Sequence, residues 1–156
     1  MKFFVKLFLS AFLVFSVPFS VGAQDDVVVT KQYDDGGMYE GTFKNGLQHG
    51  IGTYRLPNGY EYSGEWVDGE ILGVGVAKFP NGSVYEGNFI KGKPEGSGKI
   101  IFADGGTYEG TWLDGKITGQ GIAVYANGSR FEGGFLEAMH HGPVSYTHLR
   151  AHETNQ

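Results

Sequence analysis

Few residues in this chain have types and spacing that could do chemistry. Glu40, Glu86, Glu109 and Glu132 occupy one recurring position on a 23-residue spacing. Two carboxylates flanking a scissile bond can hydrolyse a glycoside. Here a single position repeats on a polar strand face, which reads as a row of solvated charges. Gly-x-Gly recurs at Gly50/Gly52, Gly73/Gly75, Gly96/Gly98 and Gly119/Gly121. No copy extends to Gly-x-Gly-x-x-Gly, and no strand-to-helix context is present to cradle a phosphate. These glycines are read as strand entry and tight turning. His148 and His152 stand four apart, a spacing at which two imidazoles on a helix share a metal, but they lack a third ligand. His140-His141 is likewise a pair without partners. Besides His49, no histidine within the repeats offers a base for a Ser or Thr nucleophile. Asn81-Gly-Ser83 and Asn127-Gly-Ser129 match the glycosylation sequon, but they are also turn residues, and the turn reading is preferred in a chain read as bacterial.

The chain has no cysteine, which removes disulfides, thiolate metal sites, a thiol nucleophile and a lipid anchor on that residue. Catalytic residues, cofactor and metal are therefore all expected to be none. Over residues 24–142, nine Lys and Arg stand against sixteen Asp and Glu, a net of −7. Such a body repels phosphate backbones and anionic headgroups, so nucleic acid is excluded as a partner and polybasic membrane attachment is disfavoured.

What must position any site is a strict repeat. Tyr39, Tyr62, Tyr85, Tyr108 and Phe131 stand 23 residues apart. Two residues after each comes Gly41, Gly64, Gly87, Gly110 or Gly133. Two further on stands Phe43, Trp66, Phe89, Trp112 or Phe135. Side chains alternate between the faces of a strand, so both rings of each unit share one face with a glycine between them. Glycine inside a strand costs stability unless something approaches closely, so a neighbouring ring is expected to lie over each glycine. Leu56, Phe79, Phe102 and Tyr125 are expected on the ring face of the second strand. Asn45-Gly46, Asp68-Gly69 and Asp114-Gly115 tolerate positive φ, and Pro57-Asn-Gly59 and Pro80-Asn-Gly82 make turns between units. Tyr33 and Gly36 fit the end of a preceding partial repeat. The fold class is all-β: an elongated, twisted, antiparallel single-sheet ribbon of tandem 23-residue β-hairpins, in which stacked units hold where a lone hairpin is marginal.

The order Tyr-Glu-Gly-x-Phe/Trp, x-x-Gly, Gly-x-Gly, aromatic-Pro-Asn-Gly resembles the membrane occupation and recognition nexus (MORN) repeat. Tyr85-Glu-Gly-Asn-Phe89 and Tyr108-Glu-Gly-Thr-Trp112 are close to its pattern. The resemblance covers residues 39–142, in units starting at 39, 62, 85, 108 and 131. It implies a twisted single-sheet ribbon used for scaffolding, oligomerisation or recruitment, with phospholipid association in several members. Where the family often carries basic middle-loop residues, this chain has Gln48/His49, Ile71/Leu72, Pro94/Glu95 and Ile117/Thr118, which weakens the anionic-lipid reading. The fifth unit decays, with Ala138 where a glycine belongs.

The ends read differently. Lys2 and Lys6 precede an apolar run from Leu7 and then Val21-Gly-Ala23, the pattern of a signal peptide over residues 1–23, cleaved after Ala23. An uncleaved membrane anchor is the alternative. Residues 24–38 form an N-terminal segment holding the partial repeat. Residues 143–156 lack periodicity and resemble a translated sequencing-adapter tail. That tail is expected to add nothing to the fold, and the native array is expected to continue.

On the face opposite the rings, the positions of Thr53 and Arg55 become Val76/Lys78, Lys99/Ile101 and Ile122/Val124. That face turns apolar toward the C-terminus, so Ile101, Ile122 and Val124 are the candidate partner-binding residues, the alternative being that they pack against further chain of the native protein. The favoured function is a non-catalytic, exported binding or scaffold module, periplasmic or extracellular, that associates with a protein partner or with itself. Alternatives are a membrane-lipid module and a cell-wall or carbohydrate binder using the aromatic rows. A glycoside hydrolase ranks last.

Overall fold

The computed structural model describes residues 27–148, with side chains through Met139. The expected signal peptide lies outside the described residues. Eleven strands follow one another in a single antiparallel sheet whose spatial order is the chain order. They are β1 (Val29–Gln32), β2 (Met38–Lys44), β3 (Leu47–Arg55), β4 (Glu61–Val67), β5 (Glu70–Lys78), β6 (Val84–Ile90), β7 (Lys93–Ile101), β8 (Thr107–Leu113), β9 (Lys116–Val124), β10 (Ser129–Leu136) and β11 (Met139–His148). The all-β ribbon of hairpin repeats expected from the spacing is the fold observed.

Two turn types alternate along the sheet. Within a unit the turn has two residues, both left-handed: Asn45 (φ 53°) with Gly46 (φ 81°), and Asp68 (φ 48°) with Gly69 (φ 87°). Positive φ at both central residues defines the type I′ turn, whose twist matches that of its flanking strands. The turn after β10 keeps this form with Glu137 and Ala138 (φ 48° and 67°), so the missing glycine does not break the fifth unit. Successive turns of this type are tied together. The amides of Gly69, Gly92, Gly115 and Ala138 donate to the carbonyls of Gln48, Ile71, Pro94 and Ile117, at 2.9–3.0 Å. Between units a longer turn closes on itself, with Leu56 N–H donating to the Tyr60 carbonyl (2.9 Å) and Gly59 N–H to the Leu56 carbonyl (3.1 Å). Tyr33 and Gly36 repeat those two bonds with Gly37 and Tyr33, so β1 is the second strand of a partial unit.

Because strand two begins directly after the two-residue turn, Gln48/His49, Ile71/Leu72, Pro94/Glu95 and Ile117/Thr118 lie in β3, β5, β7 and β9 rather than in a loop. Ile117 is buried in the core.

The core is one face of this sheet. Each Tyr packs edge-to-face on the ring four residues ahead and on the equivalent ring of the next unit. Tyr39 meets Phe43 (centroids 5.1 Å) and Trp66 (5.2 Å). Tyr62 meets Trp66 (5.6 Å) and Phe89 (5.0 Å), and Tyr85 meets Phe89 (5.1 Å) and Trp112 (4.9 Å). Tyr108 and Phe131 extend the ladder through Phe135. Edge-to-face pairs contribute about 0.5–1.5 kcal/mol each beyond the area they bury. The ladder is continuous, so Tyr39, Tyr62, Tyr85 and Tyr108 each take one of these two ring contacts from the next unit.

The phenols are satisfied locally. Tyr39, Tyr62, Tyr85 and Tyr108 donate to the carbonyls of Thr42, Glu65, Asn88 and Thr111 at 3.0–3.1 Å. To reach a carbonyl three residues on, each ring lies flat along its own strand, over the glycine two residues ahead and over that glycine's partner in the next strand. A Cβ on Gly98 or Gly75 would stand 2.5 Å from Cε2 of Tyr85 or Tyr62. The glycines are thus needed for close approach, as expected, but the covering ring comes from the same strand and not from a neighbouring one. The rule also explains β1. Val29 pairs with Gly41 where later units carry glycine, and no tyrosine of a preceding unit lies among the described residues to require one there. Lys31 Nζ sits 4.9 Å from the Tyr33 centroid and 5.9 Å from that of Phe43, covering this end of the ladder.

Two further expectations are corrected. Leu56, Phe79, Phe102 and Tyr125 fall one residue beyond β3, β5, β7 and β9, at the start of the longer turn. Phe79 still packs on the core, whereas Phe102 and Tyr125 are exposed. The second-strand residues facing the tyrosines are Tyr54, Ala77, Ile100 and Ala123. The expectation that the tail adds nothing to the fold is also overturned as far as His148: β11 pairs with β10 through Glu132–Ser145, Phe131–Tyr146, Arg130–Thr147 and Ser129–His148, and residues 149–156 lie outside the described residues.

Candidate functional site

The tyrosine face is used up by the fold. Tyr62 is fully buried, and Trp66 and Trp112 are 5% and 6% exposed. Their indole N–H groups donate to the carbonyls of Gly52 (3.2 Å) and Gly98 (3.1 Å). Rings held this way offer no face for a sugar or a quaternary ammonium group to stack on. Burial pushes the Tyr62 and Tyr85 hydroxyls up to about 12, helped by the nearby carboxylates of Glu65 and Glu95. Burial also raises Tyr39 and Tyr108. Neutral, donating phenols suit a structural role.

Among the described residues no element packs on the opposite face. In register across it run Glu40, Thr53, Ser63, Val76, Glu86, Lys99, Glu109, Ile122 and Glu132. Where the glycine backbones form the floor, a groove of about 840 Å³ opens between β5 and β10, walled by Glu86, Lys99, Glu109, Ile122 and Glu132. Glu109, Glu132 and Glu40 meet cations. Lys99 Nζ is 3.8 Å from Glu109, Arg130 Nη2 is 2.6 Å from Glu132, and Arg55 is 3.5 Å from Glu40. Such exposed pairs contribute little to stability. Glu86, Glu109 and Glu132 stand on alternate strands, so their backbones are roughly 10 Å apart by strand spacing, with Lys99 or Ile122 between.

The three candidate partner-binding residues all lie on this free face. Ile101 (48% exposed) and Val124 flank Thr107 from either side, and Ile122 stands two residues along β9 from Val124. They form a small cluster edged by Arg130 and Glu109. The surface is broader than the spacing suggested. Val74 (55% exposed) and Val76 (40%) lie on the same face of β5, and Ile51 stands out on β3. The apolar character therefore does not begin only in the C-terminal half. Val74 and Ile51 were recoverable from sequence, since both are the middle residue of Gly-x-Gly and alternate to the face away from the rings.

The remaining motifs resolve into structure. Asn81 Oδ1 accepts from Ser83 N–H and Asn127 Oδ1 from Ser129 N–H, each at 2.9 Å, so both sequons shape turns. His49 Nδ1 lies 3.4 Å from Asp68 Oδ1 at the turn edge. His140 and His141 belong to strand β11, His148 ends it, and His152 lies outside the described residues. Among the described residues no three His, Asp or Glu gather as a metal site. Lys93 and Lys116 donate to Asp114 (2.5 Å) and Glu137 (2.7 Å) across successive two-residue turns, and these bonds hold both carboxyls below the usual range.

Geometry and repeat together define a single-sheet hairpin-repeat module with one face consumed and one face open. The MORN repeat profile matches residues 39–59, 62–84, 85–107 and 108–130, more than half of the chain. The chain belongs to the MORN repeat family. No curated protein matches it. Among solved structures it is similar to the TCP domain of SAS-4 (dCPAP) of Drosophila melanogaster, solved in complex with a proline-rich motif of Ana2 (dSTIL). The identity is 18% and the TM-score 0.43, over 67% of this chain and 58% of that one.

Proposed function

We propose that this chain is an exported, non-catalytic module that associates with protein, a second copy or an envelope partner, through the sheet face opposite the tyrosines. The observation that carries the reading is the division of faces. The aromatic rows that would serve sugar or lipid are buried, while Ile101, Val74 and Val76 stand exposed on the other side. An acidic body disfavours anionic lipid, at roughly 1 kcal/mol for each basic residue absent near the surface. Apolar contact needs no charge and is not screened by salt.

Ile122→Lys tests this. Ile122 stands between Glu109 and Glu132 on the adjacent strands, so a lysine there meets carboxylates on both sides and the ribbon should keep its thermal midpoint. Light scattering at low and high salt should show association of the unaltered chain at both, and its loss in Ile122→Lys. A strictly monomeric unaltered chain that pellets with anionic liposomes at low salt would instead favour the membrane reading.

Export rests on Lys2, Lys6, the apolar run and Val21-Gly-Ala23. Mass analysis of the cell-envelope fraction should find Gln24 as the N-terminus. A cytosolic chain beginning at Met1 would contradict export.

A further inference from the structure

The chain carries four Asn-Gly pairs: Asn45-Gly46, Asn58-Gly59, Asn81-Gly82 and Asn127-Gly128. This dipeptide can deamidate, because glycine leaves its own nitrogen unshielded for attack on the preceding carboxamide. Asn is accordingly counted among the thermolabile residues. Attack requires a free glycine amide and a carboxamide able to swing over it. The structure holds these two requirements differently at the four sites.

Three pairs are locked twice. The side-chain oxygens of Asn58, Asn81 and Asn127 accept from the N–H of Tyr60, Ser83 and Ser129 at 2.9 Å. The amides that would attack, those of Gly59, Gly82 and Gly128, donate to the carbonyls of Leu56, Phe79 and Tyr125 at 2.8–3.1 Å. Asn45-Gly46 sits in the other turn type. In the four later copies of that turn the second residue's N–H is bonded to the turn of the preceding unit: Gly69 to Gln48, Gly92 to Ile71, Gly115 to Pro94 and Ala138 to Ile117. Gly46 belongs to the first complete unit, and among the described residues its N–H and the Asn45 carboxamide have no hydrogen-bond partner. Asn45 is exposed, and the space around the Gly46 α-carbon is open. The later copies carry Asp68, Lys91, Asp114 and Glu137 where this turn has Asn.

We infer that Asn45 is a selective, spontaneous modification site. The Gly46 nitrogen bonds to Cγ of Asn45 and the Cγ–Nδ2 bond breaks. Nδ2 leaves as ammonia, taking up the Gly46 amide proton. Water then opens the cyclic imide at either carbonyl, giving Asp or isoAsp at position 45. The Asp product fits, since Asp68 and Asp114 hold the same left-handed turn position. The isoAsp product adds a backbone carbon to the tightest connection in the unit, where Lys44 pairs with Leu47, and so works against the β2–β3 register.

The test is peptide mapping of the full chain aged in mildly alkaline buffer, native and in denaturant. It reads the exchange of NH₂ for OH at each Asn, together with isoaspartyl methyltransferase labelling. In denaturant all four pairs should convert at comparable rates. In the native chain Asn45 should convert at least several-fold faster than Asn58, Asn81 and Asn127, and Asn45→Asp should remove most of the label. Equal native rates at the four sites, or protection of Asn45 on folding as strong as that of the other three, would overturn the inference.

Discussion

Gly87→Val is expected to destabilise the ribbon by about 3 kcal/mol, the upper part of the range for overpacking a close-packed site. A Cβ at Gly87 would stand 2.5 Å from the Tyr85 hydroxyl oxygen, 2.7 Å from Cα of Gly98 and 2.8 Å from the Ser97 carbonyl oxygen. Two of those three neighbours are backbone, so the clash cannot be relieved by a rotamer change. Tyr85 would have to lift, breaking its bond to the Asn88 carbonyl and its edge contacts with Phe89 and Trp112. Ser63→Ala, on the open face, loses only an exposed hydroxyl contact with Thr53 at 3.1 Å and should stay within about 0.5 kcal/mol of the unaltered chain. Thermal or denaturant melts compare the two, and equal effects would contradict the assignment of faces.

Alkaline unfolding is the second large effect. The hydroxyls of Tyr62 and Tyr85 are raised from 10.0 to about 12, first by burial and then by neighbouring negative charge, and those of Tyr39 and Tyr108 are raised as well. A raised pKa means that the folded chain holds its proton where the unfolded chain has lost it. The resulting stability is complete below pH 10 and is lost as pH rises toward 12. Ionisation also turns four donors into acceptors facing carbonyls, and the ladder passes through all four rings. Phenolate absorbance and far-ultraviolet circular dichroism should therefore change together over that interval. Ladder tyrosines that ionise near 10 while the sheet persists would show that the rings are not buried as described.

Much of this fold was legible because the period of two within strands and of 23 between units are both visible in side-chain type. The two-residue turns were legible at Asn45-Gly46 and Asp68-Gly69, where residue type matches positive φ. Three things were not legible. Alternation ordinarily stands a side chain upright, so Tyr85 covering a glycine two residues ahead on its own strand is not what parity suggests. It follows from the tyrosine's reach to a carbonyl three residues on and from the register shift between Gly87 and Phe89. Strict alternation also places Phe102 and Tyr125 on the ring face, whereas the chain has already left the sheet there. In β11 the backbone pairs with β10 although its residues lack the repeat pattern, because ladder hydrogen bonds do not depend on side-chain type. Of the site, the outward direction of Ile101, Ile122 and Val124 followed from alternation. The groove did not, because it depends on side chains from separate strands, Glu86, Lys99, Glu109, Ile122 and Glu132, standing as walls around the glycine row.

The central claim is that one face of the ribbon is core and the other is interface. Hydroxyl-radical footprinting of the chain in its associated and dissociated forms, separated by size, tests it most directly. Protection on association is predicted at Ile101, Ile122 and Val124, with Tyr62, Trp66, Tyr85 and Trp112 unreactive in both forms. Rings that are reactive in the free chain and protected on association, with no change at Ile101, Ile122 and Val124, would contradict it.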